Sequence, residues 1–305
     1  MGHHNHHFAG DTYAQTGVWG SPTSKANFCE EDYAITRFIA EFINSLSNLT
    51  YVYFALKYPG HSGSHSGKGT WAPGRLDSLS IALLLVGVTS TAFHATLLQA
   101  PQLTDDLSML LLAGTLLQKV YCHGRPRHIA LLVSASIWLP TSIAALIYVR
   151  SGNILIHVYI FAALVALIGS RLLYLIYCQR RSEQETTMLG LRFWKGVAFL
   201  ALAYTVWNID LEICSQLRTV RQRVGLPWAW LLELHGWWHV LTAAGAAWFI
   251  ELVRILCEQE EGRMKGQGGG VRLAQRKPYA FPVPSSWHGL TAKSKADLDR
   301  IGAFR

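Results

Sequence analysis

The chain has 305 residues, 50% of them hydrophobic and only 15% charged, with a mean hydropathy of +0.20. An ordinary water-soluble domain, about 25% charged, is excluded by that balance. The formal net charge of +8 comes from Lys and Arg in the connections between apolar runs and in the C-terminal tail, which points to a membrane surface and not to nucleic acid.

Apolar runs of about the 20 residues that cross a bilayer lie at 35–56, 79–98, 107–120, 129–149, 154–177, 193–211 and 230–256. The expected fold class is therefore an all-α membrane protein, a seven-transmembrane-helix bundle whose third helix is short. Residues 1–34 form an N-terminal segment, 35–257 the helical domain, and 258–305 a disordered basic tail. No cleavable leader pattern precedes the first span, so it is expected to remain as an anchor. No internal repeat of 20 to 50 residues is evident.

Orientation follows from the excess of Lys and Arg in cytoplasmic loops. The first, third and fifth connections carry Lys57, Lys68, Arg75, Lys119, Arg125, Arg127, Arg180, Arg181, Arg192 and Lys195. The other side has Lys25, Arg150, Arg218, Arg221 and Arg223. The C-terminus is thus expected in the cytoplasm and the N-terminus in the lumen or outside, with the sixth connection dissenting.

In chain order, His3, His4, His6 and His7 resemble a metal-binding tract or tag in a disordered leader. Asn27, Glu30, Asp32 and Glu41 then surround the entry to the first span. They are either oxygen ligands for a hard cation such as Ca²⁺ or an acidic turn that complements a helix N-terminus. Glu41, Asn44 and Asn48 share one helical face, which should point into the bundle.

Ser90 precedes His94 by one helical turn near the non-cytoplasmic end of the second helix, and Asp105-Asp106 opens the third. His157 lies at a similar depth, but neither Asn153 nor Phe161 on its face makes a matched ligand. Asp210 closes the sixth helix, either as a carboxylate orienting an imidazole or as a helix-end hydrogen-bonding group. Trp228, Trp230, Trp237 and Trp238 fit an interfacial aromatic belt. In the last span His235 and His239 stand one turn apart on one face, the usual way a helix offers two imidazoles to one metal. With His94 at the same depth, three histidines and a nearby carboxylate suit a catalytic Zn²⁺ site.

The chain resembles the alkaline ceramidase family, within the superfamily that also holds adiponectin-receptor-like proteins. The stretches that carry the resemblance are Gly17-Val18-Trp19-Gly20, Cys29-Glu30-Glu31-Asp32-Tyr33, Ile39-Ala40-Glu41-Phe42 with Asn44 and Ser47-Asn48, Ser90 to His94, Asp105, Trp207 to Asp210 and His235 to His239. The resemblance implies a zinc-dependent amidase of the endoplasmic reticulum or Golgi. It would cleave the N-acyl bond of ceramides to a fatty acid and a sphingoid base.

Zn²⁺ would be held by His94, His235 and His239, and Ca²⁺ by Asn27, the Phe28 carbonyl, Glu30, Asp32 and Glu41. Asn27 and Phe28 stand where other members have Asp and Trp, and the lost carboxylate should weaken calcium binding. Asp105 would take a proton from zinc-activated water and return it to the leaving amine, with Ser90 bonding the oxyanion or the water. Two rival readings keep the same zinc: a lipid-responsive seven-helix receptor and a hydrolase that remodels ester lipids. Cys29 and Cys214 should be bridged, because topology leaves Cys122, Cys178 and Cys257 on the reducing cytoplasmic side. Ceramidases carry cysteines at both positions, in agreement with that pairing.

Overall fold

The computed structural model describes residues 17–57, 76–179 and 181–267, with side chains described through residue 258. The histidine-rich leader and most of the tail lie outside these residues. Contacts divide the chain into a unit through Glu261 and a unit from Gly262. Of the second unit only residues 262–267 are described, as helix.

All regular structure among the described residues is helical. Its elements are α1 (Phe42–Ser47), α2 (Leu49–Lys57), α3 (Ser78–Thr96), α4 (Gln99–Cys122), α5 (Arg127–Ser151), α6 (Ile154–Tyr177), α7 (Glu183–Glu212), α8 (Cys214–Val224), a 3₁₀ turn (Trp228–Leu232) and α9 (Leu234–Gln267). Helices α3, α5, α6, α7 and α9 are the five long and apolar enough to cross a membrane. The protein is an all-helical integral membrane protein.

Several boundaries differ from the sequence reading. Run 35–56 is not one helix: residues 35–41 are irregular, and α1 and α2 meet at Asn48. Its side chains compete for the backbone, as short polar residues do. Ser45 donates to the Glu41 carbonyl at 2.6 Å, and Asn48 to the Asn44 carbonyl at 2.9 Å.

The third helix begins at Gln99 and runs 24 residues, so Asp105 and Asp106 lie inside it and do not open it. Their carboxylates are tolerated there because both find partners inside the bundle. Helix α7 starts at Glu183, capped by the Ser182 hydroxyl. The sixth connection folds into amphipathic α8 and the 3₁₀ turn, so the last helix starts at Leu234. It then continues through 258–267, past the expected boundary at Cys257. Leaving the apolar run does not end a helix made of good helix formers such as Glu, Gln, Arg and Met.

The apolar core occupies the half of the bundle away from the histidines. Leu79 and Leu83 of α3, Leu117 of α4, Leu172 and Ile176 of α6, Leu189 of α7 and Leu252 and Val253 of α9 are buried in it. Arg254 of α9 forks onto Asp77 at the start of α3 at 2.7 and 3.2 Å. Leu131, Leu132, Leu139 and Leu146 of α5 are exposed, as a lipid-facing helix requires.

Candidate metal centre

Three chain ends meet at the other extremity. The last turn of α3 would leave its carbonyls without partners; the N-terminal segment supplies them. Glu41 N–H donates to the His94 carbonyl at 3.0 Å, Ala40 N–H to Ala95 at 2.9 Å, and the Thr23 and Ser24 amides to Leu97 at 3.0 Å. In return, the Glu30 carboxylate accepts from the first amides of α1, Ile43 at 2.6 Å and Asn44 at 2.8 Å. Glu30 therefore caps α1 from outside, where its own N-cap residue Glu41 makes no side-chain cap. Burial and the neighbouring Glu41 carboxylate push the Glu30 carboxyl up to about 8.

The same packing gathers the histidines. His94 near the end of α3 and His235 and His239 at the start of α9 place one ring nitrogen each within 4.8 Å of one another, all buried. Ring centroids are 4.7 Å apart for His94 and His239, 4.6 Å for His235 and His239, and 5.1 Å for His94 and His235. Gly236 lets α1 close onto this turn, since a Cβ there would meet Ile43 Cγ2 at 3.0 Å.

Hydrogen bonds fix two of the rings. His94 Nδ1 is 2.5 Å from Glu41 Oε2, so it donates and Nε2 keeps its lone pair. Ser47 Oγ gives its one proton to the Asn44 carbonyl at 2.8 Å. It must therefore accept from His239 Nδ1, also 2.8 Å away, again freeing Nε2. His235 Nδ1 is buried with no hydrogen-bond partner, and Phe28 stacks on its ring at 3.5 Å. Buried imidazoles with oriented free lone pairs and one orphaned nitrogen suit a metal ion. Three imidazoles suit a divalent transition metal.

The family model described as Ceramidase matches residues 20–280. The chain belongs to the ceramidase family. Among its relatives, Alkaline ceramidase 3 of Mus musculus is 29% identical over 231 residues, 75% of this chain and 82% of the mouse protein. Alkaline ceramidase YPC1 of Saccharomyces cerevisiae is 29% identical over 253 residues, 77% of each chain. Alkaline ceramidase of Drosophila melanogaster is 25% identical over 280 residues, 90% of this chain and 91% of the fly protein.

Seen as a family member, the chain buries both Ser90 of α3 and Asp105 of α4, and the two helices pack against each other. Asp210 acts at a helix end and not on an imidazole. One oxygen accepts from His235 N–H at 3.3 Å, at the start of α9, and the other from Cys29 N–H at 3.1 Å. Cys29 is bridged to Cys214 with Cα atoms 5.3 Å apart.

Around that bridge Arg218 donates to the Cys29 and Glu30 carbonyls at 3.0 and 3.2 Å. Arg221 pairs with buried Glu233 and reaches the Cys29 carbonyl at 2.7 Å. Asn27 Nδ2 donates to Asp32 at 3.3 Å, and Phe28 N–H to Glu41 Oε1 at 3.1 Å. The carboxylates of Glu30, Asp32 and Glu41 are not drawn into a mutually close set as the histidines are. Each serves a different backbone or side-chain partner.

His157 stays out of the metal set, yet it does have a partner that helical spacing could not reveal. Its Nε2 lies 3.9 Å from Asp106 of α4. The sequence reading also missed Ser47 and the contact of Glu41 with His94. Their signal was present in the shared polar face of α1, but the imidazoles they orient are far away in sequence.

Proposed function

We propose that this protein hydrolyses the N-acyl amide bond of ceramides, consuming water and releasing a fatty acid and a sphingoid base, with Zn²⁺ held by His94, His235 and His239. The reading rests on one observation: in a chain of the ceramidase family, three buried imidazoles converge, two of them aimed by Glu41 and Ser47. The chemistry that zinc brings to such a site is polarisation of a carbonyl and acidification of water. Glu41 and Ser47 hold the neutral tautomers that leave Nε2 available. Asp105 accepts the proton released by water and delivers it to the departing amine, since amide cleavage needs a base and then an acid. Ser90, buried on the neighbouring α3, bonds the oxyanion or the water.

Calcium in the segment around residues 27–41 is supported by charge and not by a preassembled ligand set. Glu30, Asp32, Glu41, Asp210 and Glu233 are all buried, against one buried arginine, Arg221. Asn27, the Phe28 carbonyl, Glu30, Asp32 and Glu41 would supply the oxygens, tying the N-terminal segment to the Glu41–His94 contact.

Seven crossings follow if α1 with α2, and α4, join the five apolar helices; α4 packs against α3, α5 and α6. Of the three dissenting arginines in the sixth connection Arg221 is paired with Glu233, and the Lys and Arg of the first, third and fifth connections outnumber those on the other side. That supports a luminal N-terminus and cytoplasmic C-terminus in the endoplasmic reticulum or Golgi, with residues 1–34, 35–257 and 258–305 as luminal segment, catalytic bundle and cytoplasmic tail. Purified protein in lipid nanodiscs should release fatty acid from a ceramide with a fluorescent acyl chain, and should stop when zinc is chelated. Turnover of ester lipids alone would overturn the substrate.

A further inference from the structure

Asp105 and Asp106 are adjacent on α4, so their side chains diverge by about 100° around the helix. Asp105 turns toward Ser90 of α3. Asp106 turns toward α5 and α6, where Tyr148 donates to Asp106 Oδ2 at 2.5 Å and His157 Nε2 lies 3.9 Å from Oδ1. Gln102 stands one turn earlier on α4. Its amide oxygen accepts from Lys25 N–H at 2.7 Å, and the Lys25 ammonium donates to the Gly152 carbonyl just past α5 at 2.7 Å. Tyr148 is 2% exposed and His157 6%, with Asp106 itself partly buried, so this is a largely buried polar cluster with no place in the chemistry above.

A helix whose reactive side chain must meet a water within a fraction of an ångström needs its rotation held, and apolar packing alone permits small rolls. We infer that Asp106 is a positioning residue: held by the Tyr148 hydroxyl, with His157 beside it, it fixes the roll of α4 that presents Asp105 to Ser90 and the metal centre. The contact lies on α5, away from the three histidines of α3 and α9. The inference rests on the reading of Asp105 as the proton-transfer group, and its test has one arm independent of that reading.

The activity arm uses full-length protein in nanodiscs and the fluorescent-acyl ceramide. Asp106→Leu should lower kcat at least tenfold while KM and zinc content stay at wild-type values. Asp106→Asn, which still accepts from Tyr148, should keep kcat within threefold, and Tyr148→Phe should fall between. Wild-type kcat in Asp106→Leu overturns the inference, as does equal damage in Asp106→Asn and Asp106→Leu, which would make the charge and not the clamp the cause.

The structural arm needs no substrate. A Ser90→Cys, Asp105→Cys pair should cross-link under mild oxidation, and adding Asp106→Leu should cut the cross-linked fraction at least threefold by peptide mapping. An unchanged fraction overturns the clamp, whatever the protein hydrolyses. Loss of cross-linking in a protein that leaves ceramide intact would instead keep the clamp and reject the substrate.

Discussion

At the histidine end, the helix termini are joined by polar contacts between residues distant in sequence, such as His94 with Glu41 and Ser47 with His239, 53 and 192 positions apart. At the other end Leu79, Leu172, Ile176, Leu189 and Leu252 fill an apolar core, and the Arg254–Asp77 fork ties α9 to α3. Packed hydrocarbon tolerates small slides, whereas a hydrogen bond is directional and loses most of its value when misaligned. Cohesion is thus concentrated in one half and positional accuracy in the other. Asp210 belongs to the accurate half, since one carboxylate holds both the start of α9 and the turn that carries the disulfide.

Breaking the histidine end should have the largest effect. His94→Ala, His235→Ala or His239→Ala each removes a ligand and should cost zinc and turnover together. The loss should exceed the roughly 10–100-fold that outer partners of a metal ligand are worth, measured by metal analysis and fatty-acid release. Asp105→Asn sharpens the contrast by retaining zinc while turnover falls about 10²–10⁴-fold, the usual worth of general acid–base catalysis.

Next comes the bridge. Cys29→Ser with Cys214→Ser opens a cross-link spanning 185 positions and should cost about 2–5 kcal/mol of stability. Because the bridge carries Cys29 N–H to Asp210, turnover should drop before the helices melt, by parallel activity and circular-dichroism curves. Calcium should act in the opposite sense: at a hundredfold excess over its Kd it should stabilise the fold by about 2.7 kcal/mol. Glu30→Gln should blunt the rise in Tm.

The smallest effect belongs to the apolar half. Leu172→Ala should cost about 2 kcal/mol, the low end for a buried leucine. Lipid tails are as apolar as the side chain that is lost, so chiefly packing is forfeited. Its kcat and zinc content should stay at wild-type values; a kcat loss larger than the stability loss would mean that the two halves are not separate.

Local periodicity was enough to make the histidine trio legible. A four-residue spacing puts His235 and His239 on one face, and counting spans puts His94 at the same depth, so chain order and helix geometry alone pointed to the trio. The compartment argument likewise singled out Cys29 and Cys214. Periodicity could not foresee where polar side chains would interrupt a helix, as Ser45 and Asn48 do in run 35–56. Nor could hydropathy place Asp105 and Asp106 inside α4, because an apolar window penalises carboxylates whose partners it cannot see.

The sequence by itself determined the five long apolar helices and the three histidines that the fold gathers, since both depend on spacings within a few turns of one chain segment. The tertiary structure alone decided what each polar group does. Glu41 orients His94 while Glu30 caps α1; Asp210, equally plausible from sequence as an imidazole partner, caps α9; and Asp106 accepts from Tyr148 across the bundle. The physical reason is that a hydrogen bond is a contact at about 3 Å, and no sequence separation specifies which distant groups come that close until the helices have packed.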